Sequence, residues 1–197
     1  MAIREIITPA HPVLRKKAHK ITNFNDPKLQ LLIDDMVDTL MDAPGVGLAA
    51  PQVAAPLRLI VVRLPDDEES QKEYGNEAGK LYIILNPEII RASTETVEGV
   101  EACLSIPGYI GNVERNVGVT VRGQDRNGKP IRIKATDWQA RVFQHEIDHL
   151  DGVLYIDRAT EIWKVKPQDD AEPQPDPLAG MFEDIEEVDE EEVPSAD

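Results

Sequence analysis

The chain has 197 residues, 41% hydrophobic and 29% charged, which suits one globular domain with at most an appendage. Its net charge of -16 is unevenly spread: residues 167–197 hold 13 acids and no Lys or Arg, leaving the first 166 residues at -3. No apolar run approaches the ~18 residues of a bilayer span, no basic stripe marks a nucleic-acid surface, and the single cysteine rules out an intrachain disulfide framework.

The opening Met-Ala-Ile-Arg-Glu puts an acid where an export signal needs an apolar core, so a cytoplasmic protein is expected. The first helix is predicted from Pro27 to Met41, with Asp26 as N-cap and Pro27 at the first position. Leu29, Leu32, Ile33, Met36, Val37, Leu40 and Met41 form its apolar stripe. A Gly-rich loop, Gly45-Val-Gly-Leu-Ala-Ala-Pro-Gln52, comes next. Strands are predicted over 57–62 and 81–85, with 65–80 a polar, mobile surface loop between them. Val117, Val119 and Val121, then Ile131 and Ile133, alternate around a turn at 124–128 and predict a hairpin.

A second helix starts near Thr136, where Thr136 and Gln139 have capping-box spacing, and ends at Gly152. A short strand or turn is predicted over 153–156. The fold class is α+β, with mixed or antiparallel sheets around one central helix. The domain is assigned to 1–166. Residues 167–197 read as an acidic, Pro-containing, disordered tail; the alternative is a partner-docking helix, since Leu178, Met181, Phe182, Ile185 and Val188 recur at helical spacing.

Gln144-His145-Glu146-Ile147-Asp148-His149 carries the chemistry. Residues four apart share a helix face, so His145 and His149 can hold one ion while Glu146, offset by about 100°, serves as a base without ligating. The bland alternative is a solvated helix face, but the flanking Val142, Phe143, Ile147 and Leu150 predict half-burial, where unpaired histidines are costly. A third ligand is required. Spacing leaves two candidates open: Glu161, as in zincin peptidases, or Cys103, which otherwise is a small packed residue. Trp138, Val142, His145 and His149 fall at i, i+4, i+7 and i+11. Trp138 and Val142 are therefore expected to line an apolar slot beside the metal with Val46, unless Trp138 simply packs in the core.

Three segments, Gly45–Gln52, Glu101-Ala-Cys-Leu-Ser105 and His145-Glu-Ile-Asp-His149, resemble in order and spacing the signature motifs of peptide deformylases. Pro12-Val-Leu-Arg15 matches that family's N-terminal region, and the resemblance covers roughly residues 3–165. It implies a metal-dependent hydrolase that removes the formyl group from N-formylmethionine of new polypeptides, releasing formate. It further implies Cys103, His145 and His149 as ligands and Glu146 as general acid/base. Gln52 and the Leu104 N–H become oxyanion donors, Gly47 lies beside the substrate backbone, and Glu101 and Arg115 form a bracing ion pair. One ion per chain is expected, Fe²⁺ natively, with Zn²⁺, Ni²⁺ or Co²⁺ as substitutes. Expected partners are formylmethionyl nascent peptides and, transiently, the ribosome, with no membrane or direct nucleic-acid site and an unknown partner for the tail. Ala102 departs from the family's glycine and would be strained if that position were left-handed. The alternatives are a zincin-like peptidase using His145, His149 and Glu161, and a non-catalytic binder that keeps the fold.

Overall fold

Asp26 caps the first helix as its residue type predicts: its carboxylate accepts from the Lys28 N–H, and α1 runs Pro27–Asp42. The structure is a computed structural model that describes residues 2–165, 177–178 and 185–188. The strands are β1 (Gly47–Ala49), β2 (Leu59–Arg63), β3 (Leu81–Ala92), β4 (Thr96–Cys103), β5 (Ile106–Asn116), β6 (Gly118–Gln124), β7 (Pro130–Thr136), β8 (Glu161–Val165) and β9 (Glu186–Val188). The other helices are α2 (Glu68–Tyr74) and α3 (Asp137–Asp151). No described helix is long and apolar enough to cross a membrane.

Two sheets form. One is antiparallel with order β1-β2-β3-β6-β7, and the other has order β4-β5-β8-β9 with only the last pair parallel. Alternation along β2 decides how the first sheet is covered. Ile60 and Val62 meet Ala140, Phe143, Ile147 and Leu150 of α3, while Leu59 and Val61 meet Leu32, Ile33 and Met36 of α1. A third cluster lies on the second sheet and joins Leu14, Cys103, Ile106, Tyr109, Val113 and Tyr155. The central helix α3 is thus apolar toward the first sheet and polar toward the second.

Several expectations need correction. The 65–80 segment is not a plain loop: it holds α2, capped by Asp67, and a 3-10 turn over Gly75–Glu77. Thr136 caps α3 without a side-chain hydrogen bond, and Gln139 instead donates to the Tyr82 hydroxyl, so no capping box forms. Of the strand or turn expected over 153–156 the turn is the one that forms, as a 3-10 turn over Tyr155–Asp157. Strands β4 and β5 lie outside the predicted elements. Met41, placed in the apolar stripe of α1, is 53% exposed.

The acidic tail is corrected where it is described. Leu178 is only 2% exposed within the third cluster, Ile185 packs against that cluster, and β9 pairs with β8 through Trp163↔Glu186 and Val165↔Val188. These residues are ordered, and 186–188 form a strand where helical spacing suggested a docking helix. Met181, Phe182 and the remaining tail positions lie outside the described residues.

Candidate metal centre

The β4–β5 hairpin closes through Leu104 and Ser105, since Cys103 pairs with Ile106. Cys103 therefore sits at the hairpin tip, facing α3. There its thiol sulfur and ligand nitrogens of His145 and His149 all lie within 4.8 Å of one another, and all three residues are buried. Cys103 Sγ is 3.3 Å from His149 Nε2, and the two imidazoles stand edge-on with centroids 5.0 Å apart. Glu161 is exposed at the start of β8 and is not in this cluster. Soft thiolate plus two imidazoles is a donor set for a late first-row divalent ion, so the residues fit the implied metal.

The neighbours fix the ligands. Glu101, two residues before Cys103 and on the same strand face, accepts from His145 Nδ1 at 2.8 Å. That hydrogen bond leaves Nε2 as the free donor atom of His145. Glu101 is also gripped by Arg115 at 2.8 and 2.9 Å and by Arg141 at 3.0 Å. Arg115 continues to Asp148 at 2.5 Å, and Asp148 binds Arg158 at 2.7 Å. Burial pushes the Glu101 carboxyl up, but Arg115 and His145 outweigh it and hold the group down at about 2. The Arg115–Glu101 pair is buried, unlike an ordinary surface pair.

The two histidines are driven apart. Burial opposes charge on both, yet Cys103 and Glu101 raise proton affinity at His145, while His149 is pushed well below its ordinary value by burial and by the His145 charge. His149 Nδ1 has no hydrogen-bond partner among the described residues.

Glu146 lies on α3 between the two histidines and is fully enclosed. Burial raises its carboxyl to about 7, with the His145 charge pulling the other way. Its Oε2 has no hydrogen-bond partner among the described residues. Gly47 explains the close approach of β1: a Cβ there would clash with Glu146 Oε1. Gln52 is anchored by its own amide oxygen, which accepts from the Ala49 N–H at 2.8 Å. Its Nε2 is thereby turned toward Cys103 Sγ at 3.5 Å and Ser105 Oγ at 3.2 Å. Leu104 reaches back over the Gly-rich loop, where a Cβ on Gly45 would meet Leu104 Cδ1 at 2.8 Å.

Val46 and Trp138 pack against the large core cluster that contains Val142. Ala102 pairs with Ile110 in β4 and is absent from the positive-φ residues, so alanine is unstrained there.

Arg141, Asp148, Arg158, Ser105 and Tyr155 belong to the site and are not among the residues expected from sequence. Tyr155 stacks on His145 with centroids 6.1 Å apart and planes 21° apart, and its buried hydroxyl has no partner among the described residues. A signal for Arg141 and Asp148 does exist: with Gln144, His145 and His149 they form a polar stripe at helical spacing, opposite Ala140, Phe143, Ile147 and Leu150.

Comparison with known proteins agrees with this geometry. The family model described as polypeptide deformylase matches residues 3–165. A peptide deformylase of Symbiobacterium thermophilum is 47% identical over 172 residues, 87% of this chain and 74% of that protein. The crystal structure of a peptide deformylase from Legionella pneumophila is 42% identical with a TM-score of 0.70, covering 81% of this chain and 87% of that one. The Met-Ala-Ser-bound class I type b peptide deformylase from Acinetobacter baumannii is 31% identical with a TM-score of 0.71, over 79% and 98% of the two chains.

Proposed function

The chain belongs to the polypeptide deformylase family, enzymes that remove the N-formyl group from new polypeptides, and from that premise we propose how its own residues divide the work. Cys103, His145 and His149 would hold a single ion, with Glu101 orienting His145. When bound, the ion polarises the formyl oxygen and makes a water molecule acidic near neutral pH.

Glu146, with its carboxyl raised to about 7 by burial, takes the proton of the attacking water. As the formyl carbon becomes tetrahedral, Gln52 Nε2 and the Leu104 N–H donate to its oxygen, each such donor typically contributing ~10²–10³ in rate. Glu146 then returns the proton to the leaving amine, and formate and a free methionyl terminus result. Gly47, whose missing Cβ lets Glu146 lie against β1, is the point where the substrate backbone passes the base. Val46, Trp138 and Val142 receive the unbranched methionine side chain. The Acinetobacter relative solved with Met-Ala-Ser bound supports a substrate whose first residue is methionine.

One observation carries this reading: the thiol and two imidazoles converge within 4.8 Å beside an enclosed Glu146 whose Oε2 has no hydrogen-bond partner among the described residues. Fe²⁺ is the native ion in this reading, because a thiolate and two imidazoles suit it and Zn²⁺, Ni²⁺ or Co²⁺ can occupy the same donors. The enzyme acts in the cytoplasm on nascent chains near the ribosome.

Formate release from formyl-Met-Ala by anaerobically purified protein, against the acetylated peptide as control, tests it. Activity should fall on exposure to air and return with Ni²⁺. Undiminished activity after aerobic purification refutes Fe²⁺. Retention of metal by Cys103→Ser together with loss in Glu161→Gln refutes the ligand set.

A further inference from the structure

Helix α3 and strand β4 meet along matched repeats. Every fourth helix residue recurs at ~6.0 Å, and every second strand residue at ~6.6 Å. Three contacts keep step with those repeats. Arg141 lies on Gly99, its Nη1 donating to the Gly99 carbonyl at 3.2 Å. One turn on, His145 Nδ1 donates to Glu101 at 2.8 Å. One turn further, His149 Nε2 is 3.3 Å from Cys103 Sγ. Helix residues 141, 145 and 149 are thus matched one to one with strand residues 99, 101 and 103. The last two rungs hold the candidate ligands and their orienting carboxylate, and the first holds none of them.

That first rung is the one made to the backbone. The buried Arg141 donates through Nη2 to the Val97 carbonyl at 2.9 Å, and through Nη1 to the Val113 carbonyl at 2.7 Å and to Glu101 Oε1 at 3.0 Å. Gly99 and Val113 are themselves cross-strand partners, so one guanidinium ties the helix to both strands of the hairpin. Its backbone acceptors cannot be carried away by a change of rotamer. The other two rungs rest on side-chain ends alone.

Glu101 links the first rung to the second. Arg115 occupies one acceptor site on each of its oxygens. Arg141 takes the second site on Oε1 and His145 the second on Oε2, so the carboxylate is full. With Oε1 taken, Oε2 is the oxygen presented to His145.

Gly99 is a glycine for space rather than for conformation. Its φ is not positive, but a Cβ there would lie 2.8 Å from Arg141 Nη2. A side chain at this position lifts the guanidinium off the strand.

We propose that Arg141, seated on Gly99, is a positioning residue that sets the register of α3 against β4 and thereby the alignment of His145 and His149 with Cys103. The proposal rests on the metal-centre reading and adds a residue that acts on the ligands from outside the ligand set.

Full-length protein loaded with Co²⁺ tests it, because the visible absorption of that ion follows its ligand geometry. Arg141→Met removes the rung. Gly99→Ala keeps every partner but displaces the guanidinium, the movable end of a flexible side chain, so the fold is retained. Both variants should bind Co²⁺ about tenfold more weakly in chelator competition, the lower end for a lost support of a metal ligand, and with a shifted absorption band. Arg141→Lys keeps the charge but lacks the planar fork that reaches both strands and Glu101, and should behave as Arg141→Met does. Wild-type affinity and absorption in Gly99→Ala or in Arg141→Lys overturns the proposal. So does a loss of thermal stability in Arg141→Met without change at the ion. If Arg141→Met does not fold, the other two variants decide. Wild-type protein that takes up no Co²⁺ overturns the metal centre itself, a failure seen before any variant is compared.

Discussion

The two faces of α3 are built on opposite principles. Toward the five-stranded sheet it presents Ala140, Phe143, Ile147 and Leu150, packed by shape among aliphatic strand residues. Toward the four-stranded sheet it presents Arg141, His145, Asp148 and His149, the first three of them held by charge in a buried chain of ion pairs. The first face gains from each buried methylene and degrades gradually. The second is sound only while every partner is present, because a buried charge that loses its counterion is costly. Shape holds the first face together, and charge pairing positions the candidate ligands on the second.

That contrast can be broken in order of effect. Glu146→Gln should lower formate release by about 10³–10⁴-fold, in the upper range for a lost acid/base, while metal content and folding stay near wild type. A comparable loss of stability would mean that Glu146 serves the helix as well as the reaction. Arg115→Met should cost about 3 kcal/mol in denaturant unfolding, since it removes a buried partner from Glu101 and Asp148 at once. The Glu101 carboxyl, held at about 2 in the folded chain, adds stability that is present above about 4.5 and lost as pH falls from there toward 2. Arg115→Met should therefore also flatten the acid limb of the stability curve; an unchanged limb would show that Arg141 and His145 alone hold the carboxylate.

Phe143→Ala should cost about 3 kcal/mol through the cavity left beside Tyr82, whose ring meets it edge-on at 5.5 Å. Metal affinity should change far less than in the Arg115 variant. If the two variants weaken metal binding equally, the faces are not separable. Leu178→Ala should cost about 2 kcal/mol, and truncation after Lys166 at least as much, because both open the third cluster. Full retention of thermal stability in the truncated chain would show that the tail strand adds nothing to that cluster.

The same division decides what can be read in the sequence. The face packed by shape is legible: apolar residues at helical spacing locate α1 and the core side of α3, and alternation locates β2, β6 and β7. The charged face is only half legible. Its helix residues lie close together in the chain, but their partners are 44 residues away for Glu101–His145 and 33 for Arg115–Asp148. Periodicity carries no information at that range. Strand β4 gives no signal for a related reason. Its inward positions are Gly99, Glu101 and Cys103, while Val97 is exposed, so its alternation is opposite to that of a strand facing an apolar core. Gly99 is there to admit Arg141, whose Nη2 would lie 2.8 Å from any Cβ. Motif resemblance supplies Cys103, Gln52 and Glu101, which spacing alone cannot choose.

Composition averages over residues and so misses the described tail positions 178 and 185–188. Thirteen acids among residues 167–197 describe a solvated chain, yet burial of a single Leu178 and a three-residue strand is decided locally. The wall beside Cys103 thus draws on positions far apart along the polypeptide, Leu14 and Leu178. During synthesis the five-stranded sheet and α3 can assemble as soon as residue 151 is free. The wall beside Cys103 is complete only once Leu178 has also emerged, so the last part of the core to close is the one around the Cys103 hairpin, and anything that delays or tethers the segment after Val165 bears first on that final event.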